Sequence, residues 1–407
     1  MSSATVQPQT RIRSLDALRG VGVLGMLAVH IQLFAFPSVA RWNPTVYGDF
    51  KGLNGWVWLM TLLFADGKFI TIFAMLLGVS IVMLAEASER SAAWRAHMRR
   101  MAVLLVLGLA HAYLLWFGDM LVPLALSGSV VFFARRLSPG KLLVVGSVAF
   151  AMASLVSVGL TWSTAQSDPA ALAAWRAEWM PRPEIINVEI AQYRGGWAEQ
   201  MAQRVPAALE NETVSFVTRL LWQMTGLMLM GMGLFKLGVL SAARSRAFYL
   251  RMATLGFGAG ILLIALGLWR SYATKWDVLD FVLVSEQLHY WGNLFVALGW
   301  VALVMLLCQR GWALRSVVAV GRMALTNYLL QSVICTTIFY GHGFGLFGRV
   351  DRAGQFAMVV GIWAFQLLAS SVWLRYFAVG PVEWLTRWLV FKRRPGFVRS
   401  SPAAVGV

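Results

Sequence analysis

Arg19 and His30 stand eleven residues apart in the apolar stretch LRGVGVLGMLAVH (18–30). In a helix that separation is three turns plus about 20°, so both side chains share one face, about 16 Å apart along the axis. A guanidinium suits a phosphate or carboxylate. An imidazole suits proton transfer or nucleophilic catalysis near neutral pH. Asp16, three residues before Arg19, is the partner that helical spacing expects for it.

Other apolar stretches hold similar groups. His111 is followed by WFGD, whose Asp119 either caps the next helix or joins a site. Glu286 and His289 are three apart, share a helical face and can satisfy one another. Asp66 and Lys68 flank Gly67 in FADGK, as a local ion pair or as ligand-binding groups. Asn327, Tyr328 and Gln331 fall in one segment, and His342 follows in GHGFG. Catalytic candidates are thus His30, His111, Asp119 and Glu286. Binding candidates are Arg19, Asp66, Lys68, His289, Asn327, Tyr328 and Gln331. Cys308 and Cys335 lie inside apolar runs, which suggests neither a disulfide framework nor a metal motif.

The elements that must position these groups are built for lipid. Of 407 residues, 59% are hydrophobic and 13% charged, against about 45–50% and about 25% in soluble domains. Ten apolar segments, roughly 17–36, 56–86, 101–117, 120–134, 142–162, 214–238, 249–269, 283–308, 316–340 and 356–374, predict an all-α polytopic transmembrane bundle of about ten spans. No cleavage site is evident after His30, so 17–36 reads as a retained span. With the N-terminus inside, Lys and Arg are about twice as frequent in inner as in outer segments, which predicts N-in, C-in topology. The same bias accounts for the net charge of +17 without nucleic acid.

Residues 163–213 form the one long loop, on the outer side. It carries seven of the 18 acids, four basic residues, and Trp175, Trp179 and Trp197, which predict amphipathic helices on the membrane or over a cavity. GPVEWLTRWLVFKRR (380–394) predicts an amphipathic helix on the inner leaflet. An ionisable group within the bilayer costs about 3 kcal/mol on insertion scales, so each is a candidate for function. In this orientation His30, His111, Glu286 and His289 reach a similar depth, which predicts one polar cavity open to the outer side. The whole chain, 1–407, reads as one integral membrane domain. Its small-residue stretches GFGAG (256–260) and GLMLMGMGLFKLG (226–238) allow a homodimer.

Several stretches carry a resemblance: RIRSLDALRG (11–20), FADGKFITIFAMLLG (64–78), LGLAHAYLLWFGDML (107–121), GRMALTNYLLQSVICTTIFYGHGFGLFG (321–348) and LRYFAVGPVEWLTR (374–387). Through them the chain resembles the YeiB-like family of bacterial inner-membrane proteins, defined by a C-terminal domain of unknown function. More distantly it resembles the transmembrane acyltransferase superfamily, which includes acyltransferase family 3 and heparan-glucosaminide N-acetyltransferase. Its Arg19 and His30 reproduce the arginine, ten residues, histidine spacing of family 3.

That resemblance implies acyl transfer from a cytoplasmic acyl-CoA donor to a sugar or related acceptor at the outer side, with no permanently bound cofactor. Inner arginines, Arg19 among them, would hold the donor's phosphates, and His30 would act as general base or transient acyl carrier. His111, Asp119 and Glu286 would orient it, while Asn327, Tyr328 and Gln331 would bind donor or acceptor. Two other readings stay open. One is a transporter or flippase of an amphipathic or anionic metabolite with a His/acid proton relay, although no paired halves are visible. The other is a non-catalytic membrane scaffold.

Overall fold

A computed structural model describes residues 12–86, 90–311, 314–392 and 396–398. Its helices are α1 (Arg13–Ala35), α2 (Gly52–Phe64), α3 (Lys68–Glu86), α4 (Arg90–Ala110), α5 (Leu121–Val131), α6 (Pro139–Ser167), α7 (Pro169–Trp179), α8 (Pro183–Arg194) and α9 (Trp197–Glu212). They continue as α10 (Leu221–Lys236), α11 (Arg246–Ala273), α12 (Val278–Asp280), α13 (Glu286–Gln309), α14 (Arg315–Arg322), α15 (Ala324–Phe339), α16 (Arg352–Tyr376) and α17 (Pro381–Phe391). Among the described residues the only extended pairing is a bridge between Phe377 and Val398. The fold is the all-α membrane bundle that the composition dictates.

Among the described residues, by length and apolarity, seven helical stretches can cross a membrane: α1, α2 with α3, α4 with its continuation to Leu115, α6, α11, α13 with the turns before it, and α16. The pair α14–α15 makes an eighth if counted as one span. Two further expected segments, 120–134 and 214–238, form α5 and α10, only 11 and 16 residues long. Helix α10 is buried at Met224 and throughout Gly226–Gly233, packed against α3, α5 and α6. A helix apolar all round belongs in such an interior.

Segment 316–340, expected as one span, breaks at Met323, where α14 and α15 meet at 84°. The break is held by Glu383 of α17, whose carboxylate accepts the Leu325 N–H at 2.7 Å, the Thr326 N–H at 3.1 Å and the Thr326 hydroxyl at 2.5 Å. A carboxylate at a helix N-terminus satisfies orphan donors and opposes the positive end of the dipole. Helix α14 then lies directly on α1. A Cβ at Gly20 would overlap the Val317 carbonyl, and one at Gly321 would overlap that of Asp16. The glycine of LRG is thus a packing residue.

Helices α7, α8 and α9 occupy the stretch expected as an outer loop and cover one end of the bundle, although α6 runs on to Ser167. The Trp179 indole donates to Trp276 O at 2.7 Å, and Arg194 Nε donates to Phe347 O at 2.7 Å. Arg204 of α9 is buried and donates to Leu114 O at 2.8 Å and Gln200 Oε1 at 3.2 Å. Helix α17 forms where an amphipathic helix is expected, with Trp384 stacked on Trp388. Arg11, Arg393 and Arg394, counted in the motifs above, lie outside the described residues.

Candidate functional site

Beneath this cap lies a cavity of about 610 Å³. Helix α1 contributes Met26, Val29, His30 and Leu33 to its wall, at the i, i+3, i+4, i+7 spacing of one face. The His30 ring packs on Trp116 with centroids 4.9 Å apart and meets the edge of Tyr328 at 6.4 Å. Among the described residues its ring nitrogens have no hydrogen-bond partner. The opposite walls bring Asp66, Glu286 and His289, with Trp175, Glu178 and Glu210 from the cap. Side chains from separate helices therefore converge on one chamber, as their depths in the sequence suggest.

Their pairing departs from helical spacing. Asp66 accepts from Arg41 at 3.3 Å rather than pairing with Lys68, which is buried and donates to Leu62 O. Glu286 pairs with Arg219 at 2.6 Å rather than with His289. Both guanidiniums flank the Trp42 indole, 5.0 and 5.5 Å from its centroid. Arg41 lies on a short 3-10 turn after α1, and nothing near it in sequence marks it as Asp66's partner. Arg219 leaves a visible trace, being a basic residue well inside the predicted span 214–238.

A second polar group lies one side chain behind the wall. His111 Nδ1 is 2.8 Å from Asp119 Oδ1, and His111 Nε2 is 2.8 Å from Ser332 Oγ. Asp119 Oδ2 also accepts the Val122 N–H at 2.7 Å, so this residue both caps α5 and orients the imidazole. The three side chains are inaccessible, with Trp116 and Tyr328 packed between His111 and the cavity histidine. Three π-helical turns adjoin the ionisable groups: one begins at His111, one contains Arg219, and one ends just before Glu286. Such turns offset the helical register and are frequent at functional sites.

Other expected site residues have different surroundings. The Asn327 amide donates to Ser370 Oγ at 2.9 Å and Val320 O at 3.3 Å. Gln331 donates to Val23 O at 3.1 Å and Gln366 Oε1 at 2.9 Å, and Gln366 in turn donates to Asn327 O at 2.9 Å. These amides join α15 to α1 and α16 and do not line the cavity. Tyr328 separates the two histidines instead of lining the chamber. Arg19 pairs with Asp16 at 3.0 Å as expected, at the far end of α1 from His30. His342 bonds Gln200 Oε1 at 3.0 Å; burial and the nearby Arg204 lower its pKa below the ordinary 6.5.

What fold and site define is a polytopic α-helical membrane protein with a polar, tryptophan-walled chamber under a cap of short helices. Residues 234–393 match the family described as protein of unknown function (DUF418). Over 93% of its length the chain is 32% identical to the uncharacterized protein YeiB of Escherichia coli (strain K12), across 96% of that protein. It is 29% identical to YxaH of Bacillus subtilis (strain 168), over 93% of each chain. A 39.9 kDa protein encoded in the amylase 3' region of Bacillus acidopullulyticus is 25% identical over 94% of this chain. The chain belongs to the YeiB family.

Proposed function

We propose that this protein is an acyltransferase of the bacterial inner membrane, moving an acyl group from an acyl-CoA-type donor to a sugar-like acceptor at the capped side. The observation that carries this reading is His30, whose ring nitrogens, without a hydrogen bond among the described residues, belong to a chamber walled by indoles, arginines and carboxylates. A volume of about 610 Å³ suits a small-molecule site, which typically measures about 300–1,000 Å³. Trp42, Trp58, Trp116, Trp175 and Trp179 offer apolar faces to sugar rings, while the ion-paired groups offer hydrogen bonds to hydroxyls.

In this reading His30 takes the proton of an acceptor hydroxyl or amine as that atom bonds to the thioester carbonyl carbon. The C–S bond breaks, and the departing thiolate takes up the proton. Arg19, at the other end of the same helix face, faces the donor's phosphates. There a charge-assisted pair would compete with the 3.0 Å contact to Asp16.

The test is acetyl-CoA turnover by full-length protein in nanodiscs, with membrane-derived glycan as acceptor and no ion gradient. His30→Ala should lower transfer by about 10²–10⁴-fold, the usual worth of a general base, with unchanged thermal unfolding. Transfer at the wild-type rate in a folded His30→Ala protein rejects the reading.

A further inference from the structure

Ser332, His111 and Asp119 come from three elements: α15, the π-helical turn after α4, and the loop before α5. Their contacts are 2.8 Å each, and each residue is at most 2% exposed. Two features separate this chain of bonds from ordinary interhelical glue. A serine inside a helix commonly returns its hydroxyl to the carbonyl three or four residues earlier. Ser80, Ser129, Ser271 and Ser371 all do so here. Ser332 turns to an imidazole instead. Further, Asp119 Oδ2 accepts the Val122 N–H, and an ionised carboxylate can only accept, which assigns the proton of the Oδ1 contact to His111 Nδ1. In the neutral ring, Nε2 is then the base facing the Ser332 hydroxyl. Nucleophile, base and orienting carboxylate stand within hydrogen-bond reach in series.

The geometry points to Ser332 as a nucleophile that takes the acyl group from the donor before the acceptor in the cavity receives it. This deepens the acyltransfer reading above and rests on it, replacing direct attack of the acceptor on the thioester by attack on a Ser332 ester. In the first half, Ser332 Oγ bonds to the thioester carbonyl carbon and its proton passes to His111 Nε2. The C–S bond breaks and the thiolate leaves with that proton. In the second half, the acceptor attacks the Ser332 ester and gives its proton to His30, which releases it to solvent. The ester C–O bond breaks, and Ser332 Oγ takes a proton that His111 Nε2 has picked up from solvent in exchange for the one His30 released.

The path between the two centres is short. Trp116, Phe117, Gly118 and Met120, which surround Asp119 in the chain, line the cavity themselves. The Trp116 ring is 4.9 Å from that of His30 and 6.2 Å from that of His111. Its buried Nε1 makes no hydrogen bond among the described residues. Packing alone therefore holds this indole, and the proposed transfer requires it to move aside.

The test uses full-length protein in nanodiscs with a fluorophosphonate probe and, separately, acetyl-CoA. The probe should label Ser332, mapped by peptide mass. Labelling should vanish in Ser332→Ala and fall by at least about a hundredfold in His111→Gln and Asp119→Asn, since an orienting carboxylate is worth about 10⁴ in rate. Asparagine still caps α5, which separates orientation from folding. Ser332→Cys, close in shape, should take up iodoacetamide in a His111-dependent way. With acetyl-CoA, an acetyl ester should accumulate on Ser332 in His30→Ala. Absence of probe on Ser332 in folded wild-type protein overturns the proposal. So does acyl transfer that survives Ser332→Ala within a few-fold; if that transfer still needs His30, the acyltransferase reading stands alone. Labelling without any transfer keeps the nucleophile and removes the acyltransferase.

Discussion

Consider the crossing of α1 and α14. A Cβ added at Gly321 would lie 2.7 Å from Gly20 N and 2.9 Å from Asp16 C. One added at Gly20 would lie 2.9 Å from Val317 C. Comfortable contact with carbon is about 3.5–4.0 Å, and the obstructing atoms are backbone, so no side chain can rotate away. The Asp16 and Val317 carbonyl oxygens lie closer still, so the helices must part by more than about 1 Å. Overpacking of this kind costs about 1–3 kcal/mol, and we expect that loss from Gly20→Ala or Gly321→Ala singly. The double variant should cost less than the sum, because the first methyl opens the gap that the second then occupies; neighbours of this sort couple by about 0.5–3 kcal/mol. Thermal unfolding in detergent, followed by tryptophan fluorescence, reads all four proteins. Strictly additive losses, or single variants as stable as wild type, would refute the close crossing.

Two further outcomes follow from the cap and the chamber. Arg219→Met should destabilise by about 1–2 kcal/mol, since breaking a buried pair costs more and an exposed one less, and Glu286 is 13% exposed. Adding Glu286→Gln should restore part of that loss in the same unfolding assay; additive losses would show the pair to be uncoupled. For His342, a pKa below 6.5 means that the fold favours the neutral ring. Its contribution is present above the unfolded value and is lost as pH falls through the folded one. Protection of the α9 amides around Gln200, corrected for the intrinsic pH dependence of exchange, should therefore fall on acidification, and His342→Asn should flatten that dependence. Unchanged protection from neutral to mildly acidic pH would contradict it.

Much of this architecture is written locally. Asp16 and Arg19 pair because three residues make most of a turn, and the FADGK break falls between α2 and α3, where Gly67 takes a φ of +76°. The convergence of His30, Glu286 and His289 is legible because lipid penalises stray ionisable groups, so those present tend to share a chamber. What stays hidden is tertiary. Asp66 finds Arg41 across a loop, and Glu286 finds Arg219 from another helix, although each has a nearer charged or titratable neighbour in sequence. Asn327 and Gln331 resemble ligand-binding groups by type, yet bind α1 and α16, because an amide in lipid seeks any acceptor. Ser332 carries no signature at all: a serine in an apolar helix is unremarkable until His111 is seen beside it. The enclosure of α5 and α10 stays hidden too, because apolarity does not distinguish a lipid-facing helix from one surrounded by others.

The chamber has two kinds of wall. Its floor and inner sides come from α1, α3 and α13, which are bound into the bundle by close packing, whereas Trp175, Glu178, Glu210 and Asn211 come from α7 and α9. Those cap helices meet the bundle more locally, through side-chain-to-carbonyl bonds such as those of Trp179 and Arg204 and through the packing of Trp179 with Trp58, Trp276 and Phe281. Descendants of such a chain are therefore free to redraw the entrance, and with it what is admitted, while the machinery beneath keeps its form.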